Sequence, residues 1–199
     1  MENKDMKAKV TIILFFTLTN LFAQPSTGDD YIQNFYVTCK PNKYSAFNDI
    51  QVGIQLLDTK QYYRSINRFS KALIRDSTCT DPYFMLAFCY QRTGELEKAI
   101  SYADSSIFFN STSLSAWIIK GTTLLMKNDL QKGENCFRKA IEIAPDILDG
   151  YYGLALSYYK QNRLSESLET ILKFESLGIT PTEIRDGKKM KKLKKLLTE

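Results

Sequence analysis

Small and apolar residues recur along this chain at one fixed interval of 34 positions. Gly53, Ala87, Gly121 and Ala155 make one small-residue series, and Ser65, Ala99, Gly133 and Ser167 make a second. Ala72, Ser106 and Ala140 make a third, which Phe174 interrupts in the last unit. Apolar series run in the same register: Tyr62, Leu96, Leu130, Leu164, and Phe69, Ala103, Phe137, Ile171. Tyr83, Trp117 and Tyr151 place an aromatic ahead of the first small residue, where the first unit has Asp49. Within a unit these positions lie three or four apart, which puts them on one face of a helix. A second helix carries small residues seven apart, and small side chains let two helix backbones approach while bulky ones fill the groove beside them.

The breaks between predicted helices share the period. Gly94, Asn128 and Asn162 stand where the two helices of a unit meet, and they tolerate the left-handed conformation that ends a helix. Lys60 holds that place in the first unit. Asp81-Pro82 opens the second unit and Pro145 closes the third, as expected at helix starts and ends. The reading is therefore all-α, with antiparallel helix pairs at 46–79, 80–113, 114–147 and 148–179.

At this point the chain resembles the tetratricopeptide repeat family, whose unit is a helix–turn–helix of the same length. The third unit carries the resemblance best, through Trp117, Gly121, Leu124, Leu130, Phe137, Ala140 and Pro145. The second agrees at Tyr83, Leu86, Ala87, Tyr90, Gly94, Ala99 and Ile107, and the fourth at Tyr151, Leu154, Ala155, Tyr158 and Leu164. The first agrees at Gly53, Tyr62, Phe69, Ala72 and Leu73. Lys120, Gly133 and Glu134 in the third unit depart from the pattern, as does Phe174. The resemblance implies a right-handed α-solenoid of about four units and a role in binding other polypeptides. Some members clamp a partner's terminal carboxylate with basic and amide side chains in a groove. Here Phe84 and Ile118 hold the places wanted for the basic residues, with Phe88 and Thr122 one turn on, so that docking role is not expected.

The ends follow separate rules. Residues 1–23 read as a secretory signal: Lys4, Lys7 and Lys9 precede an apolar run from Val10 to Phe22, and Ala23 stands before Gln24-Pro25. An uncleaved membrane anchor is the alternative. Residues 24–45 form a leader, either a brief helix through Tyr31, Ile32, Phe35 and Tyr36 or a flexible arm. Beyond the array, Thr180-Pro181-Thr182-Glu183 reads as a helix start, and 180–199 as a capping helix turning Ile184, Leu193 and Leu197 toward the repeats. From Glu183 to Glu199 seven basic residues face three acidic ones, nearly the whole formal excess of +5. That helix reads as a solvating cap, with contact to anionic lipid or an acidic partner as the alternative. Charge confined to one end argues against nucleic acid.

Chemistry changes this picture little. The chain has no histidine, which excludes a Cys/His metal site, and no cofactor is expected. Cys89 and Cys136 fall within helices and read as buried thiols. Cys39 and Cys79 lie in connecting segments and form a candidate disulfide, the alternative being four inert thiols. Asp104, Glu134, Asp146 and Glu166 are scattered carboxylates that read as solvated helix faces, so no catalytic residue is assigned. Asn110-Ser111-Thr112 fits a glycosylation acceptor.

The first helices of successive units should line a groove. Its predicted lining is Ile50, Ile54 and Leu57, then Phe84, Phe88, Gln91 and Arg92, then Ile118, Thr122 and Leu125, then Tyr152, Leu156, Tyr159 and Lys160. So apolar a face, if exposed, marks an interaction site. The expectation is a scaffold holding a peptide or protein partner in a periplasmic or secreted assembly. The chain's own N-terminal segment or end helix covering the groove is one alternative, and self-association through the same face is another.

Overall fold

The computed structural model describes residues 44–178 and 187–198. These form α1 (Tyr44–Asp58), α2 (Tyr62–Arg75), α3 (Asp81–Thr93), α4 (Leu96–Phe109), α5 (Leu114–Met126), α6 (Leu130–Ile143), α7 (Leu148–Lys160), α8 (Leu164–Glu175) and α9 (Gly187–Thr198). Each helix packs on the next from α1 to α8, and the first helices also touch across units, α3 on α5 and α5 on α7. This is the expected α-solenoid of helix pairs. The predicted signal, the leader up to residue 43 and the helix start at Thr180 lie outside the described residues. Among the described residues no helix is long and apolar enough to cross a membrane.

The turns repeat as faithfully as the helices. Lys60, Gly94, Asn128 and Asn162 all take positive φ, from 56° to 84°. The residue after each donates its amide five positions back: Gln61 to Leu56, Glu95 to Tyr90, Asp129 to Leu124 and Arg163 to Tyr158, at 2.8–2.9 Å. This closing turn satisfies carbonyls that the helix end would leave bare. A lysine accepts the strained backbone in the first unit because the same hydrogen bonds hold it there. Between units, the Asp76 side chain accepts from the Thr78 amide at 3.0 Å, and Asn110 accepts from that of Thr112 at 3.1 Å. The glycosylation-like triplet thus serves as a local turn lock.

The core lies between paired helices. Phe69, Phe137 and Phe174 are fully buried, as are Ala87, Ala99, Ala103, Ala140 and Ala155. A methyl group on Gly53 would stand 2.5 Å from the Phe69 ring, and one on Gly153 would stand 2.2 Å from Phe137. Gly53, Gly121 and Gly153 are therefore seats for the phenyl rings of neighbouring second helices.

The departures at Asp49, Lys120 and Phe174 have local causes. Asp49 is buried at 1% exposure and pairs with Arg68 at 2.9 Å and Arg75 at 3.1 Å, replacing ring packing by a buried ion pair. Lys120 reaches Asp104 at 2.6 Å and lies over the Trp117 ring. Phe174 stands against Tyr151, ring centroids 5.2 Å apart, and joins a cluster with Met190 and Leu193 of α9. A small residue is not wanted there, because the fourth unit meets the capping helix and not another repeat. Leu193 and Leu197 face the array as predicted, Met190 joins them, and Ile184 lies outside the described residues.

Glu134 corrects the expectation of a solvated carboxylate. It is buried at 3% exposure and accepts hydrogen bonds from Arg138 at 3.0 Å, Gln161 at 3.0 Å and Arg163 at 2.8 Å. Arg163 stacks over the Tyr158 ring at 4.3 Å and also binds Glu166, while Arg138 donates to the Tyr158 hydroxyl. Burial opposes ionisation of Glu134, but Gln161, Arg138 and the charge of Arg163 outweigh it and hold its carboxyl below the usual glutamate range. The network ties α6 to α7 and to the turn before α8.

Candidate functional site

The predicted groove lining divides by depth. Ile50 and Leu57 are fully buried, and Phe84, Phe88, Ile118 and Leu125 keep 7% exposure or less. These six are core residues, which corrects their reading as an open surface. The cause is packing between successive first helices and onto the preceding unit. Phe88 meets the Tyr62 ring edge-on, centroids 6.4 Å apart. Gln91 Nε2 lies 2.7 Å from both Thr122 Oγ1 and Thr123 Oγ1 and 3.2 Å from the Ile119 carbonyl, bonding α3 to α5.

Ile54, Gln91, Arg92, Thr122, Tyr152, Leu156 and Tyr159 are half-buried, and Lys160 is exposed. Arg92 stands over the Tyr62 ring at 5.6 Å. Tyr152 and Tyr159 pack beside Met190 and Leu193, so α9 supports the last part of this face. Desolvation raises the Tyr159 phenol and lowers the Lys160 ammonium. What remains accessible on this side is thus a narrower strip of tyrosine, leucine, arginine and lysine.

The outer side carries groups that the sequence reading missed. Tyr90 and Tyr102 stack with centroids 5.3 Å apart, Tyr83 lies 5.1 Å from Phe109, and Phe108 is 84% exposed beside it. Tyr83, Phe108 and Phe109, with Glu97, Ile100, Ser101, Asp104 and Ser105, border an open groove of about 760 Å³ along α4. A second groove, of about 350 Å³, runs along α1 and α2. The signal for the first was available: Phe108 and Ile100 sit off the periodic core positions.

The cysteines behave unequally. Cys79 is disulfide-bonded, and Cys89 and Cys136 are buried free thiols. Cys39 lies outside the described residues. Burial pushes the Cys136 thiol up to about 11 and raises that of Cys89 further, so both stay protonated and unreactive. The candidate carboxylates do not converge: Asp104 is spent on Lys120, Glu166 on Arg163, and Asp146 is exposed.

The tetratricopeptide repeat model matches residues 80–107 and 114–147. A TPR repeat-containing protein of Methanocaldococcus jannaschii is 28% identical over 134 residues, 66% of this chain and 24% of that protein. The chain thus spans about a quarter of that relative's length. Among solved structures, MamA superposes with a TM-score of 0.62 at 19% identity, over 66% of this chain and 77% of that one. The first repeat domain of Spaghetti (RPAP3), solved with the HSP90 peptide SRMEEVD, gives 0.59 at 15% identity, over 61% and 97%.

Proposed function

Taking this chain as a member of the tetratricopeptide repeat family, we propose that it is a non-catalytic scaffold. It holds a polypeptide segment of another protein along the side formed by its first helices. The observation that carries this is the stack itself, the same helix-pair arrangement that holds a peptide in the RPAP3 structure. The strip Arg92, Tyr152, Leu156, Tyr159 and Lys160 supplies what such a segment needs, rings for apolar side chains and charges for polar ones. Because Phe84 and Phe88 are core, the test belongs on the accessible residues. A photo-crosslinking residue at Lys160 should join one partner in the native compartment. Tyr152→Ala with Tyr159→Ala should abolish that product while the helical circular-dichroism signal persists. An undiminished product in the folded double variant would sink the assignment.

Export is part of the same proposal. It rests on the basic and apolar start of the chain and is supported by the disulfide at Cys79, a bond favoured outside the reducing cytosol. Mass analysis of the native protein should show a chain beginning at Gln24, with Cys39 joined to Cys79 under non-reducing conditions. A native chain that keeps Met1 and a reduced Cys79 would refute both statements.

A further inference from the structure

The first unit carries a charge pattern that no other repeat helix shares. In α2, Arg64, Arg68, Lys71 and Arg75 fall at i, i+4, i+7 and i+11, and no acidic residue occurs from Tyr62 to Arg75. They share one face, beside the buried face of Ser65, Phe69 and Ala72. Next to this row, Val52 and Leu56 of α1 with Tyr63, Asn67, Arg64, Arg68 and Lys71 line the open groove of about 350 Å³. Its lining contains no carboxylate. Tyr63 is 70% exposed, an aromatic flank without a cover among the described residues.

The row is held in place from within. Asp49 takes one nitrogen each from Arg68 and Arg75, and Arg64 donates to Gln61 at the start of its own helix. One buried carboxylate thus fixes two guanidinium groups and cancels one charge, leaving excess positive charge on a pre-ordered surface. Lys71 has no ion pair among the described residues. Guanidinium forks favour planar, bidentate acceptors such as carboxylates.

We propose that this groove docks an extended acidic segment of a partner protein, one with carboxylates at alternate positions and apolar side chains between. The spacing supports it: cations three and four residues apart on a helix rise by about 4.5 and 6 Å. Alternate residues of an extended chain advance by about 6.6 Å, a mismatch of up to about 2 Å per step that the long arginine and lysine side chains take up. Successive carboxylates thus meet successive cations while the intervening side chains reach Val52, Leu56 and Tyr63. A nucleic-acid track would need a broader basic surface. The lysines of α9 do not extend this one, since α9 packs on α7 and α8 at the other end of the array. This site lies in the first unit, apart from the strip on α3 and α7, and does not depend on that assignment.

The test uses the purified chain and a short synthetic peptide with glutamate at alternate positions and leucine between some of them. Arg64→Ala with Lys71→Ala spares both partners of Asp49 and should leave the melting curve unchanged. Affinity should fall about tenfold in that variant and fall again as salt is raised. It should return in Arg64→Lys with native Lys71, and stay unaffected by Tyr152→Ala with Tyr159→Ala. Equal binding by the double alanine variant would overturn the site. So would loss of binding in the tyrosine variant, or tighter binding of phosphatidylglycerol vesicles or a single-stranded oligonucleotide than of the peptide.

Discussion

Phe137→Ala is expected to lower the free energy of unfolding by about 3–5 kcal/mol, the range for removing a fully buried phenyl ring. Phe137 has no exposure and packs with Leu125, Leu154 and Tyr158. It lies against two glycines of neighbouring first helices, since a Cβ on Gly121 would come within 2.9 Å of the ring and one on Gly153 within 2.2 Å. Neither glycine has a side chain that can turn into the void, so the cavity term is retained almost in full. Because each repeat is stabilised by its neighbours, the loss should uncouple the fourth unit from the third. Urea titration followed by circular dichroism would show an earlier or split transition. Phe108→Ala, at an 84% exposed position, should stay within about 0.5 kcal/mol of the native value. Indistinguishable midpoints for the two variants would contradict this core.

Glu134→Ala ranks second, at about 2–3 kcal/mol. Removing the carboxylate leaves Arg138, Arg163 and Gln161 facing one another around a buried gap. The cost falls below that of a wholly interior pair because both arginines reach solvent, with side chains 50% and 32% exposed. The sign with pH follows from the direction of the shift. The folded carboxyl is held below its ordinary value, so its contribution is complete above the unfolded glutamate pKa, near 4.3, and disappears as pH falls through the lower folded value. The native chain should therefore lose stability on acidification below about pH 4.5, and Glu134→Gln should flatten that limb while lowering stability at neutral pH. An acid limb of the same slope in the glutamine variant would show that other carboxylates govern it.

The repeat register, the helix pairs, the turns and the capping helix were legible in the linear order of residues. They depend on local rules: 3.6-residue periodicity, glycine or asparagine at left-handed turns, and small residues opposite rings. Lys60 shows the reach of register, since an unsuitable residue took the same turn because its neighbours demanded it. Pairwise outcomes were not legible. Asp49 and Glu134 looked like departures or solvated groups, and only the approach of Arg68 and Arg75, or of Arg138 and Arg163, made them buried carboxylates paired with solvent-reaching arginines.

Amphipathic spacing states that a helix has an apolar side, but not how many neighbours will cover it. Phe84, Phe88 and Ile118 carried the right side chains for an open groove, and successive first helices closed over them. By itself the chain determined its architecture, because every unit repeats the same local instruction. Tertiary structure decided which apolar side chains are core and which remain accessible. That choice depends on distances between residues about 30 positions apart, which no local pattern encodes.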